Sequence, residues 1–494
     1  MRGIRILGLL AASLLLAGCN VFWGQFGGEQ SHQSDNTGEF AISASNVGTL
    51  SQKWQATLPA VADGAPAIAF GVSTPAGSRD LILVTTKTGT LTARDLHTGA
   101  AVWSISFPAG TCKINNGTST CYTTSSPVID QAHGFVYTYG LDGMVHRVAL
   151  ATGVEDTTAP WPVVATLKPW DEKGSSALAM AMAKDGNSYL YMANAGYPGD
   201  HGDYQGHITA INLATGASNV FNTLCSAQTV HFAWNTAPDC AEVQSGVWAR
   251  SDVTYSSVTN LIYFVTGNAT YDPTQGDWGD TVLAVHPDGT GVNGGPVDAW
   301  TPANYQTLDD QDLDLGSTLP AIAPVPSGAL SPTGRSITQV GVQGGKDGQL
   351  RLLDLGDLSG QGGPGHLGGE WSTVAGPGGG ILTAPAVYTD ANGTTWLFVG
   401  TGSALAGYTV TLDPTTHVPL LTQVWKKAVT STSPMVANGV VYAAGAGIIG
   451  AYSPTDGSLL WSKTVGGIHW QSPVVDGGFV LLEDGAGHLT EWGP

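Results

Sequence analysis

The stretch LTARDLHTGAAVW, residues 91–103, is the one whose reading decides the fold. From Leu91 to Asp95 apolar and polar side chains alternate, as in a strand with one buried face. His97-Thr98-Gly99 is a polar turn closed by glycine, and Ala101-Val102-Trp103 opens a second strand. The unit recurs as VHRVALATG at 145, ITAINLATG at 208, VLAVHPDGTG at 282, LRLLDLGDLSG at 350, YTVTLDPTTHVPLLTQVW at 408 and IIGAYSPTDGSLLW at 448. HLTEWGP at 488 begins one more and stops. A second mark precedes many units: SSPVID at 125, TAPAVYTD at 383, TSPMVANG at 432 and QSPVVDGG at 471. Proline is tolerated at the first position of a strand, where its missing N–H costs no ladder bond. Each block then reads as four short strands, and strands repeated in this way are the blades of an all-β propeller.

The truncated last unit bears on how the ring closes. LSQKWQATL at 50–58 has the strand-and-tryptophan look of the piece missing after HLTEWGP, so the N- and C-terminal strands are expected to complete one blade together and leave no open edge. This predicts eight blades, with seven as the fallback, in a single domain over 49–494. Residues 20–48 are read as a tether and lead-in. Composition agrees: 68 Gly and 27 Pro with only 11% charged residues suit a chain of turns and short strands. A formal charge of −20 argues against a nucleic-acid partner.

The first residues, MRGIRILGLLAASLLLAGCN, carry two arginines, an apolar run and then Leu16-Ala17-Gly18-Cys19. That is an export signal, too short and wrongly flanked for a membrane span. Its end resembles the bacterial lipobox, which implies a signal peptide over 1–19, acylation of Cys19, and a lipoprotein of the cell envelope facing the periplasm or the exterior. Four further cysteines, Cys112, Cys121, Cys225 and Cys240, are expected to form disulfides in an oxidising compartment. Local pairs are the economical reading, but the sequence leaves all three pairings open. There is no C-x-x-C-H for a c-type haem, and no C-x-x-C spacing favours zinc.

The D-x-x-T-G-x-x-x-W signature of Asp95-Thr98-Gly99-Trp103 resembles the repeat of pyrroloquinoline quinone (PQQ) propellers, and WGQFGGEQSHQSDNTGEFAISASNVGTLSQKW at 23–54 is similar to their lead-in. That superfamily holds both quinoprotein alcohol dehydrogenases and non-catalytic scaffold lipoproteins, so the fold alone does not choose.

Resemblance to the dehydrogenases implies a site. Thr266-Gly267-Asn268, in FVTGNATYDP, is similar to the stretch that supplies a calcium ligand at a strand end; an Asx turn is the plainer reading. In LDDQDLDLGST at 308–318, Asp312 and Asp314 are candidates for the general base, with Asp312 preferred; the loop is no EF-hand, since Ala321 stands where a bidentate Glu is required. Lys346, in VQGGKDGQLRLLDL, resembles the lysine that sits against the quinone oxygens. Neither this stretch nor GQGGPG at 360–365 is a nucleotide loop, because spacing and context fail in both. Trp248 offers an aromatic face for the quinone, and Asp200 or Asp203 stands where a calcium-ligating glutamate is expected. No vicinal Cys-Cys pair is present. The sequence therefore leans towards a lipid-anchored scaffold that binds an envelope protein. The alternative is a PQQ- and calcium-dependent alcohol dehydrogenase passing electrons to a redox acceptor that the chain does not encode.

Overall fold

A computed structural model describes residues 23–228, 240–360 and 366–494. The signal peptide with Cys19, and nearly all of GQGGPG, lie outside the described residues.

Eight sheets follow one another around a ring, the eight-bladed propeller that the repeat predicts. The blades span 67–106, 128–164, 172–222, 254–301, 321–375, 386–427, 435–464 and 474–493. In the eighth, the outermost strand is supplied from the other end of the chain: Ser51–Thr57 pairs antiparallel with His488–Gly493, from Ser51 opposite Gly493 to Thr57 opposite His488. The seam is thus a β-ladder. Hydrogen bonding along it ties the two ends into one unit and removes the exposed edge.

The signature turn holds neighbouring blades together. Gly99 has φ +68°, and a Cβ there would lie 2.5 Å from the Trp54 ring of the preceding blade. Trp54 Nε1 donates to Leu96 O, three residues before that glycine, at 3.0 Å. The same lock recurs between Trp103 and the Leu150-to-Gly153 turn, and between Trp425 and the Pro454-to-Gly457 turn, with indole N–H bonds of 3.0 and 2.7 Å. Glycine serves twice at each turn, adopting positive φ and leaving room for an indole.

Residues 23–36 are more than a lead-in. They circle the axis and meet the innermost strand of every blade in turn. Ile68 and Ile129 N–H donate to Trp23 O and Gly24 O at 2.9 and 2.8 Å, and Met180 N–H to Gln25 Oε1 at 2.8 Å. Tyr255 N–H reaches Gln30 O at 3.0 Å, and Gln33 Nε2 donates to Ile322 O at 3.1 Å. Val387 and Val436 N–H donate to Gln33 O and Ser34 O at 2.8 and 2.7 Å, and Asn36 Nδ2 donates to Val475 O at 2.9 Å. Asp35–Asn36 adds a parallel strand beside Val436–Ala437. This collar saturates inner-strand backbone groups that would otherwise face the axis unpaired.

The four cysteines pair locally as Cys112–Cys121 and Cys225–Cys240, with Cα–Cα distances of 5.0 and 5.8 Å. No described helix is long and apolar enough to cross a membrane.

Candidate functional site

On one face of the ring, the segments that lead into the inner strands and the loops between second and third strands enclose a cavity of about 590 Å³. The opposite face carries the collar and the turns after the inner strands. Arg250 leads into the fourth blade and Trp470 into the eighth, which are diametrically opposed in a ring of eight. Their side chains nevertheless stack, with the guanidinium carbon 4.4 Å from the indole centroid. Such a contact is possible only at the axis, so this pair lies in the cavity's centre.

One wall is acidic and comes from the fourth and fifth blades. The strand Leu261–Val265 ends at Thr266-Gly267-Asn268; a short helix, Tyr305–Asp310, and the turn Leu315–Ser317 carry the aspartates; Lys346 sits in the hairpin between Gln339–Gln343 and Gln349–Leu353. Lys346 Nζ pairs with Asp312 Oδ1 at 2.8 Å and also with Asp314 Oδ2. Asn268 N–H donates to Asp314 Oδ1 at 2.8 Å, and Asn268 Nδ2 to Asp312 Oδ1 at 3.3 Å. Asn268 therefore binds two aspartates at its strand end, Asp314 through its backbone N–H and Asp312 through its carboxamide, while its Oδ1 is buried without a partner. Lys346 Nζ lies 5.5 Å from the Trp248 ring centroid. Gly267 is required here, since a Cβ would meet Asp314 Oδ1 at 2.5 Å.

Burial pushes the Asp314 carboxyl up, against the pull of Lys346. Burial alone would lower the Lys346 ammonium, but Asp314 and Asp312 outweigh it and hold its pKa above the usual value. Behind them Asp280 is pushed well above the carboxylate range by burial; its Oδ1 accepts from Leu315 N–H at 2.8 Å and its Oδ2 has no partner.

The sequence candidates do not all meet. Asn268, Asp312, Asp314, Lys346, Trp248 and Asp200 line the cavity. Asp203 does not, and its Oδ2 lies 3.5 Å from Lys168 Nζ. Asp200 accepts the Tyr204 hydroxyl at 2.7 Å. Residues that the sequence did not single out line the cavity too, among them Lys173, Arg250, Tyr122, Tyr197 and Trp470. The stretch DEKGSS around Lys173 carries no spacing that could have marked it. The Cys112–Cys121 disulfide stands behind this part of the wall, with Tyr197 Oη 3.1 Å from Cys112 Sγ. Cys225 and Cys240 cluster with Asp277, but both sulfurs are spent in the disulfide and Asp277 Oδ1 accepts from Cys225 N–H at 2.7 Å, so the cluster does not supply three free metal ligands.

Fold and cavity together define a PQQ-type repeat propeller. A family model described as outer membrane protein assembly factor BamB matches residues 30–230 and 411–492, more than half of the chain, and the chain belongs to that family. No curated protein matches it closely. Among solved structures, a quinohemoprotein alcohol dehydrogenase from Pseudomonas putida superposes with a TM-score of 0.64 at 15% identity, over 96% of this chain and 80% of that one. One from Comamonas testosteroni gives 0.59 at 14%, over 96% and 80%. A europium-containing methanol dehydrogenase gives 0.62 at 16%, over 93% and 89%. At these identities the likeness is one of fold.

Proposed function

We propose that this ring is a quinoprotein-type propeller whose axial cavity receives a planar quinone of the PQQ kind and which oxidises an alcohol outside the cytoplasm. The observation that supports this most is the ion cluster on the acidic wall. Asp314, buried and pushed towards protonation, is held on Lys346 beside a buried, unpartnered Asn268 oxygen, and all three residues line the cavity. Burying such groups costs stability, and a scaffold that offers only loops and sheet edges gains nothing from it.

The cavity fits a quinone in size and lining: Trp248 gives an aromatic wall, and Lys346, Lys173 and Arg250 give positive charge. When bound, the quinone supplies the acceptor for a hydride and its electrons. The protein's own part is electrostatic and acid–base. Lys346 keeps a fixed positive charge beside Trp248, where negative charge on a neighbouring oxygen is stabilised. Asp312, with its side chain 75% exposed, is the carboxylate that an alcohol hydroxyl can reach, and Lys346 and Asn268 orient it through Oδ1. A calcium ion fits less well. It takes six to eight oxygen ligands, whereas Asp203 is outside the cavity, Asp200 is bonded to Tyr204, and the Lys346 ammonium lies between the two aspartates. Export and anchoring through an acylated Cys19 complete the proposal, and electrons pass to a separate acceptor.

A second reading, a lipid-anchored scaffold that holds an envelope protein, is favoured by the family match. Adding PQQ, desalting, and measuring the retained quinone absorbance separates the two. Retention that Lys346→Ala abolishes supports the quinoprotein; no retention by the parent protein overturns it and leaves the scaffold.

A further inference from the structure

The cavity also presents two cations, from the third blade and from the segment leading into the fourth, with no anion of their own. Lys173 is a buried residue that lines the cavity, and its Nζ makes no hydrogen bond or ion pair with any described residue; its near neighbours are the Tyr122 and Tyr197 rings, at 4.8 and 6.0 Å from the centroids. Arg250 is 6% exposed and has no carboxylate partner; its Nη2 donates to Ser175 O and Trp248 O, both at 3.3 Å, and its Nε is buried and unpartnered. Both carboxylates that act on Lys173 are committed elsewhere. Asp63 is bonded to Lys87 at 3.2 Å, His469 at 2.7 Å and Trp470 N–H at 3.1 Å. Asp200 is bonded to Tyr204.

We infer that Lys173 and Arg250 form a carboxylate-binding subsite, so that the ligand of this cavity is a planar anion whose carboxylate meets these two cations while its rings lie among Tyr122, Tyr197 and Trp470. Two buried cations without a counter-ion repel each other on top of their own desolvation cost, and a bound carboxylate offsets both through charge attraction and charge-assisted hydrogen bonds. Both groups show this cost: burial, with Arg250 next, pulls the Lys173 ammonium down to about 7, and burial pulls Arg250 down to about 10. The carboxylate has two possible sources, the quinone cofactor itself or a separate aromatic acid. The subsite rests on the proposed function only for the first of them.

The test is a fluorescence titration of the exported protein, read from the cavity tryptophans, with PQQ and with benzene-1,2,4-tricarboxylate as probes. Lys173→Met is expected to weaken carboxylate binding by about 10- to 100-fold, the size of one lost charge-assisted hydrogen bond, while Lys173→Arg retains it. Raising the pH from 6 to 8.5 is expected to weaken binding in the parent, as the Lys173 ammonium deprotonates, and not in Lys173→Arg. The other charged or titratable groups around Lys173 are Arg250, Asp63, Lys87, Asp200, His469, Tyr122 and Tyr197. The Arg variant controls for them. Binding of PQQ alone identifies the source as the cofactor. Binding of the simple tricarboxylate without PQQ keeps the subsite and removes the quinone reading. Binding of neither probe, or binding unchanged in a folded Lys173→Met, overturns the subsite.

Discussion

Asp314 shows how a single side chain ties structure to the site. It accepts from Asn268 N–H, and it pairs with Lys346, whose backbone N–H in turn donates to Asp314 O at 3.1 Å, so one residue fixes a strand end, a hairpin and a charge. Removing the lysine leaves a buried carboxyl without its counter-charge. Lys346→Met is expected to destabilise the fold by about 2–3 kcal/mol at pH 8, somewhat less than a fully buried pair would cost. The effect should shrink at pH 4.5: with its pKa raised further, Asp314 binds a proton in the folded state that the unfolded chain lacks at higher pH, so stability is retained in acid and lost as pH rises. Denaturant unfolding at both pH values checks this, and Lys346→Met with Asp314→Asn should recover most of the loss. At this scale the sequence was partly legible. Asn268, Asp312, Asp314, Lys346 and Trp248 could be picked out because they follow a known order of strand end, acidic loop and hairpin. Lys173 and Arg250 could not, because a cation becomes informative only when burial and the absence of a partner are visible in three dimensions.

The strands and turns were the most legible elements, for a reason now visible in the blade contacts. Each signature turn needs a glycine to admit the tryptophan of the previous blade, and the indole N–H needs a carbonyl three residues before that glycine, so geometry forces the same letters to recur. Gly153→Ala puts a Cβ 2.5 Å from the Trp103 ring and at φ +72°. It is expected to cost about 2–4 kcal/mol from overpacking and backbone strain together, more than the Trp103→Phe change, which loses one indole hydrogen bond worth about 1 kcal/mol. Thermal or urea unfolding of the two variants ranks them. Two elements were not foreseen. The helix Tyr305–Asp310 is a single short turn-and-a-half in a run of aspartates, too brief for periodicity to show. The collar at 23–36 carries no repeat, since each of its residues serves a different blade through backbone and amide groups rather than through a patterned apolar face.

At the scale of the molecule, four of the raised carboxyls lie in the collar and the eighth blade. Burial is the leading cause at all four: Asp35 stands at about 7, Asp476 at about 6, Glu483 at about 8 and Glu491 at about 7, in the collar and the eighth blade. Folded pKa values above the unfolded ones mean that the native state holds extra protons, so their contribution is complete below pH about 4 and is lost as pH rises through 6 to 8. Lys173 works in the opposite sense, but only above pH 7. The melting temperature is therefore expected to fall between pH 5.5 and 8.5, and Glu483→Gln should lessen the fall by raising stability at the alkaline end by roughly 2–4 kcal/mol. Hydrogen exchange should place the loosening in the eighth blade. The same collar sets the orientation that follows from the proposed anchor. Trp23 N–H bonds Asp476 Oδ2 at the far end of the eighth blade's inner strand, away from Trp470 and the cavity. Only three residues separate it from Cys19, a reach of roughly 14 Å at full extension. An acylated Cys19 would thus hold the collar face against the bilayer and turn the cavity outward, open to substrate and to an electron acceptor. A fluorophore on Asn392→Cys, in a turn of the collar face, is expected to transfer energy to a headgroup acceptor in vesicles more strongly than one on Ser403→Cys beside the cavity. Equal transfer would mean that the ring hangs freely from its lipid, and stronger transfer from position 403 would reverse the orientation.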